Sequence, residues 1–210
     1  LLTRNNVALL RQAGCHSVNV GIESGNEEIR SRVLGRKMGN DKMIDGATLL
    51  KRNGIKIIAN NMLGLPGSTF ENDMETLVLN RKCRVDYPLA MLWQPYPGTG
   101  LTQYAIEKGL FDGNYESLAF TYYRRSIIKF PDEITKRRIE NLQKLFAVTV
   151  HLNFLVPIIR LLTYLPSNRI FDAIFRVTYL IFHQTEIFPY RKANRFWYES
   201  LVYIGKGIKA

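Results

Sequence analysis

Few side chains in this sequence stand where chemistry would need them. Glu23 follows directly on the run Val18-Asn19-Val20-Gly21-Ile22, and Asn60 and Asn61 lie side by side in Ile57-Ile58-Ala59-Asn60-Asn61-Met62-Leu63. A carboxylate or amide at the end of a buried strand costs free energy unless it is paired, so such a group is a cap or a ligand contact. Both runs close on glycine turns, Ser24-Gly25 and Gly64-Leu65-Pro66-Gly67. Glu23 has a helix it could cap, since Asn26-Glu27-Glu28-Ile29 opens one. Its place at the carboxyl end of a strand, where α/β folds seat their ligands, favours the contact. Hydrolytic chemistry has no support, because His16, His151 and His183 show no spacing suited to a triad or a zinc site. Cys15 and Cys83 are too far apart for a metal knuckle and too few for a disulfide framework, as expected in a reducing cytoplasm.

The elements that must position these groups alternate. Residues 5–13 repeat apolar side chains at helical spacing and stop at Gly14. A strand over 18–22 follows, then a helix over 27–34 and the basic turn Gly35-Arg36-Lys37-Met38-Gly39. The next helix, 41–53, is expected to be capped by Asp41 with Met43, Ile44, Ala47 and Leu50 facing inward. The central strand from Ile57 is apolar on both sides, which fits a parallel sheet buried under helices. Ser68 or Thr69 caps a helix over 71–82 with an acidic first turn and Met74, Leu77 and Val78 as its buried stripe. A third strand over 89–94 ends in Pro95-Tyr96-Pro97-Gly98-Thr99-Gly100, before a short helix over 101–108. This α-β-α-β-α-β-α order calls for a parallel sheet with right-handed crossovers. Three strands with bare edges look like half of a barrel or of a larger sheet.

Residues 111–210 read differently. Asp132 is expected to cap a helix over 133–155 that is basic on one face through Lys136, Arg137 and Lys144. The runs 158–165 and 170–182 are apolar but broken by Arg160, Asp172 and Arg176, and each is too short to span a membrane. The formal charge of +11 is uneven: residues 1–114 carry 14 Lys/Arg against 11 Asp/Glu, residues 115–210 carry 15 against 7. A basic half with apolar helical faces suits a partner domain, or a membrane surface on which the helices lie. The absence of a recognisable RNA-binding module argues against nucleic acid. The opening without methionine, on a helix, reads as a fragment.

Three stretches in this order, Gly21-Ile22-Glu23-Ser24-Gly25, Gly64-Leu65-Pro66-Gly67 and Pro95-Tyr96-Pro97-Gly98-Thr99, each end a predicted strand. Together they resemble the second half of a radical S-adenosylmethionine (SAM) barrel, and their wording is most similar to the cobalamin-binding branch of that superfamily. The resemblance implies an α/β fold: the C-terminal half of a partial parallel (β/α) barrel over residues 1–110, then a mostly helical, basic and aromatic extension over 111–210. It also implies SAM lying across the carboxyl ends of the strands. By position, Glu23 and Ser24 are then cofactor-binding, and Arg36, with Lys37 as a rival, meets the SAM carboxylate. Asn60 meets the ribose, Met62 packs on adenine, and Leu63 and Gly64 complete the rim.

The same resemblance implies parts that this sequence does not contain. A [4Fe-4S] cluster in this superfamily is held by a C-x3-C-x2-C loop, which Cys15 and Cys83 cannot supply, and Ser68 replaces the acidic residue that often follows Gly-Leu-Pro-Gly. No metal ligand is therefore assigned here. Cluster and cobalamin are expected on a missing N-terminal barrel half and a cobalamin-binding domain, which count as partners. The expected function is a fragment, inactive alone, of an enzyme that cleaves SAM reductively to a 5′-deoxyadenosyl radical. Its reaction is methylation or rearrangement at an unactivated carbon of a small, lipid-like molecule. The expected location is cytoplasmic, peripheral to the inner face of the membrane. The alternative is a non-catalytic α/β scaffold with a basic membrane- or partner-binding tail.

Overall fold

The computed structural model describes residues 2–118 and 125–182. Strands β1 (Ser17–Glu23), β2 (Lys56–Leu63) and β3 (Tyr87–Leu92) form one parallel sheet in sequence order. Helix α1 (Arg4–Gln12) precedes β1, α2 (Glu27–Arg32) and α3 (Asn40–Arg52) connect β1 to β2, and α4 (Phe70–Lys82) connects β2 to β3. After α5 (Gly100–Glu107) come the long α6 (Glu133–His151), α7 (Val156–Leu162) and α8 (Arg169–Phe182). This is the fold class expected from the sequence: a parallel three-stranded sheet, consistent with part of a β/α barrel, followed by a helical extension.

Side chains alternate across each strand. Val18, Val20, Ile22, Ile57 and Ala59 pack with Val7, Leu50 and Leu79 beneath the helices. Leu63, Ala90 and Leu92 pack with Met74 and Leu77 of α4 and with Ile139, Leu142 and Phe146 of α6. Leu63, Leu77, Leu142 and Phe146 have no exposed surface, and each contributes about 1.5–3 kcal/mol by leaving water. The extension thus shares a core with the sheet, and the Gln143 side-chain amide donates to the Ala90 carbonyl of β3 at 3.0 Å. By the strand register, Asn19, Gly21, Asn60, Met62, Leu89 and Met91 fall on the opposite face, which no helix among the described residues seals completely.

Local chemistry corrects three expectations. Gly39, not Asp41, is the N-cap of α3, and it makes no side-chain capping bond. Val78 is exposed, because α4 turns Asp73, Thr76 and Asn80 inward instead. Lys144 is buried rather than on a basic face, held by Asp172 of α8 at 2.9 Å. Thr69 and Asn72 form a reciprocal capping box at α4, and Asp132 caps α6 as expected. The expectations for the aromatic stretch 119–124 and for the basic tail from His183 onward lie outside the described residues.

Candidate functional site

Glu23 ends β1 with φ of 64°. A left-handed conformation costs a residue with a Cβ about 1–2 kcal/mol, so something must hold it. The Ser24 N–H donates to the Ile22 carbonyl at 2.8 Å, closing a three-residue turn, and the ladder to β2 slips between Gly21 and Glu23. The turn folds the Glu23 carboxylate back over Gly21, where Arg36 Nη1 meets it at 3.2 Å. A Cβ on Gly21 would collide with Glu23 Oε1 and lie 3.0 Å from Arg36 Nη1. Glycine is therefore what leaves room for the pair. Burial pushes the Glu23 carboxyl above its ordinary pKa, and Arg36 offsets only part of that. The Arg36 side chain is 52% exposed, and so open an ion pair adds little stability. What it offers is one negative and one positive group side by side on an accessible face.

Arg30 sets the loop that carries Arg36. It is wholly buried, and its guanidinium donates to the Ser24 carbonyl at 2.5 Å and to the Met38 carbonyl at 2.6 and 3.1 Å. Desolvation lowers its pKa, with Glu27 acting against the shift. The Arg36 N–H donates to the Arg30 carbonyl at 3.0 Å, so both ends of the loop are tied to the tip of β1. Lys37 lies exposed on the same loop.

The two central asparagines part company across the sheet. Asn60 pairs in register with Gly21 on the open face, and its amide donates to Asn19 Oδ1 at 2.9 Å. Asn61 is wholly buried on the helix side, where it accepts from Asn80 Nδ2 at 2.6 Å and donates to the Leu89 carbonyl at 3.0 Å. Met62 returns to the open face, half-buried against the cluster of Leu65 and Trp93. Leu63 points into the core under α4 and α6. The Gly64 N–H donates to Asp73 Oδ2 at 2.9 Å, and a Cβ there would meet Phe130 at 3.1 Å. Ser24 is buried, its carbonyl on Arg30 and its hydroxyl accepting from the Asn26 N–H. Glu23, Arg36 and Asn60 are thus brought together with Asn19 and Gly21, and Met62 lies further along the same face. Ser24, Leu63 and Gly64 turn inward and hold the tips.

Helix α4 aligns those tips. Asp73 accepts from Gly64 at the end of β2, Thr76 Oγ1 accepts from the Gly25 N–H at 2.8 Å at the end of β1, and Asn80 bonds Asn61 within β2. Asp73, only 2% exposed, is pushed by burial up to about 8, with the Gly64 N–H acting against the shift. An apolar-stripe reading of the sequence misses this row. The available signal was the i, i+3, i+7 spacing of three polar residues on one helix face. Asn19 could have been found from its period-two alternation with Gly21.

Among the described residues no group of three or more His, Cys, Asp or Glu side chains could hold a metal ion. Cys15 precedes β1 and Cys83 ends α4, so both lie at the amino end of the parallel sheet, away from the Glu23 tip. The Cys15 thiol donates to the Ser17 carbonyl at 3.4 Å, and burial pushes Cys83 up to about 11. The residues present do not fit an iron–sulfur cluster, which needs thiolates. What they do place together is an acid and a base: the Glu23 carboxylate and the Arg36 guanidinium fill the space over Gly21, with the amides of Asn19 and Asn60 on the same face.

Residues 1–79 match the Radical SAM superfamily. That stretch contains Gly21, Glu23, Arg36, Asn60 and Asp73. Over 101 residues the chain is 32% identical to a Pyrococcus horikoshii protein named an uncharacterized methyltransferase. The matched part is 48% of this chain and 22% of that protein, so the chain spans about a fifth of the relative's length.

Proposed function

We propose that this chain forms part of the SAM-binding rim of a radical SAM enzyme that methylates or rearranges an unactivated carbon of a small, lipid-like molecule. The observation that carries the reading is the Glu23–Arg36 pair over the bare Gly21, on an open face inside the stretch that matches the Radical SAM superfamily. The amino-acid end of SAM carries an ammonium and a carboxylate, for which Glu23 and Arg36 are the complementary pair. Asn60 exchanges its bond to Asn19 for ribose hydroxyls, and half-buried Met62 offers apolar surface to the base. Bound SAM supplies, on reductive cleavage, a radical able to abstract hydrogen from carbon. This chain's own share is to bind and orient it, and no step is assigned to an iron–sulfur cluster because its thiolates are absent here. Cobalamin dependence and the lipid-like substrate belong to the same reading, carried by the wording of the motifs and by the apolar extension.

The test is SAM titration of the anaerobically reconstituted full-length protein, with release of 5′-deoxyadenosine as the second readout. Glu23→Gln and Arg36→Ala are each expected to weaken SAM binding by about tenfold or more, the worth of one charge-assisted hydrogen bond. Lys37→Ala is expected to leave affinity unchanged. Gly21→Ala, whose methyl would meet only the movable ends of Glu23 and Arg36, is expected to weaken binding less than Arg36→Ala. Unaltered affinity in Arg36→Ala, or a large loss in Lys37→Ala, would remove the assignment. No SAM binding at all by the native protein would leave the scaffold reading.

A further inference from the structure

Two successive helices of the extension each bury one apolar face and leave another bare. Phe154, Ile158, Leu161 and Leu165 run along α7 and its flanks at helical spacing, between 46% and 72% exposed. Ile170, Val177 and Ile181 repeat the pattern on α8, each at least half exposed. The inward faces are used already, Ile159 and Phe171 packing with Leu145 of α6. Single exposed apolar residues need no explanation, but two rows of them on adjoining helices mark a docking face.

Charge identifies the occupant. A cleft of about 900 Å³ is lined by Arg81, Lys82, Arg84 and His151 together with Asn153 and Phe182. Asn153 and Phe182 are the chain neighbours of Phe154 and Ile181, so the Phe154 and Ile181 ends of the two rows lie beside the cleft. Asp86, which lines this cleft, is held by Lys51 at 2.6 Å, Asp172 of α8 by Lys144 at 2.9 Å and Glu71 by Arg160 of α7 at 2.7 Å, while Asp41 and Glu75 lie across a separate groove that Arg81 and Lys82 also border. Among the described residues Arg81, Lys82 and Arg84 enter no ion pair. The region is therefore apolar along its ridges and positive in the adjoining cleft. Among the described residues no helix is long and apolar enough to cross a membrane.

We propose that α7 and α8 lay this protein on an anionic phospholipid surface. The two apolar rows enter the boundary between head groups and acyl chains, and the cleft of Arg81, Lys82 and Arg84 faces lipid phosphates. The cleft lies at the amino end of the sheet, and the strand tip that carries Glu23 lies at the other end. This inference is independent of SAM binding, and either can fail without the other.

Flotation of the full-length protein with phosphatidylcholine vesicles, with and without about 30 mol % phosphatidylglycerol, tests it. The native protein is expected to float with the anionic vesicles, to remain behind with the neutral ones, and to be released as salt rises. The pair Lys82→Glu and Arg84→Glu is expected to reduce the floated fraction by about tenfold or more. The pair Leu161→Ser and Ile170→Ser is expected to do the same with every charge intact, and with an unchanged melting curve because both side chains are exposed. The proposal is overturned if native protein fails to float, or if either double variant floats like native. It is equally overturned if light scattering shows a concentration-dependent dimer that the serine pair splits, since a second copy would then cover the rows.

Discussion

Between about pH 4 and about pH 8 the native protein is expected to lose stability steadily, and an Asp73→Asn variant to lose much less. Asp73 accepts the Gly64 N–H at 2.9 Å, but burial dominates and lifts its carboxyl from the ordinary 3.8 to about 8. Across that window the folded protein keeps a proton that the unfolded chain has released. Unfolding therefore releases a proton, and stability falls as pH rises through the window, then levels off above the folded pKa. The slope is about 1.4 kcal/mol per pH unit, and the whole effect is on the order of 5 kcal/mol. The carboxamide of the Asp73→Asn variant keeps the shape and an acceptor for Gly64 but has no proton to lose. The variant is expected to match the native protein near pH 4 and to exceed it by several kcal/mol near pH 8. Burial also raises Glu23 and Glu140, which slope the same way, so the informative quantity is the difference between the two proteins. Urea unfolding of both at the two ends of the range measures it, and parallel curves would show that Asp73 is not a buried neutral acid.

Gly25→Ala is expected to be the most damaging single methyl in the site region. A Cβ at Gly25 would collide with the Glu75 carbonyl oxygen and lie 2.5 Å from Thr76 Cα. Both are backbone atoms of α4 and cannot swing aside. The tip of β1 would have to leave the helix and give up the Gly25–Thr76 bond at 2.8 Å, and with it the bond from Asn40 Nδ2 to the Gly25 carbonyl at 2.9 Å. A loss of at least about 3 kcal/mol follows from overpacking and two broken hydrogen bonds together. Gly46→Ala is the control. It lies inside α3, its methyl would meet only the flexible end of Leu2 at 3.2 Å, and alanine is worth up to about 1 kcal/mol more than glycine in a helix. Thermal melts of the two variants should move in opposite directions, and a native-like melt for Gly25→Ala would mean that the tip and α4 are not in this contact.

These variants give the motif Gly21-Ile22-Glu23-Ser24-Gly25 a physical reading position by position. Gly21 makes room for the ion pair, Ile22 anchors the strand in the core, and Glu23 carries the charge. The Ser24 carbonyl receives Arg30, and Gly25 lets the strand touch the helix. Only two of the five face the open side of the sheet.

The alternation of elements, the parallel order and the place of the three strand tips were legible in the chain alone. They rest on periodicity, on glycine turns and on capping residues, which act between near neighbours. The pairing of Glu23 with Arg36 could only be guessed at, because it needs the left-handed turn at Glu23 and the buried Arg30 clamp. Asn60 and Asn61 are the same residue type one position apart, yet one bonds Asn19 on the open face and the other is locked to Asn80. A strand's two-residue period says that they diverge, but not which side carries the helix. The burial of Asp73, Thr76 and Lys144 was likewise invisible, since polarity along a helix marks a solvent face unless partners distant in sequence arrive to satisfy it. Order and element type were determined locally by the sequence. Which polar groups are buried, strained or free to meet a ligand was decided by tertiary structure, because desolvation and hydrogen-bond partnership depend on what the rest of the chain brings near.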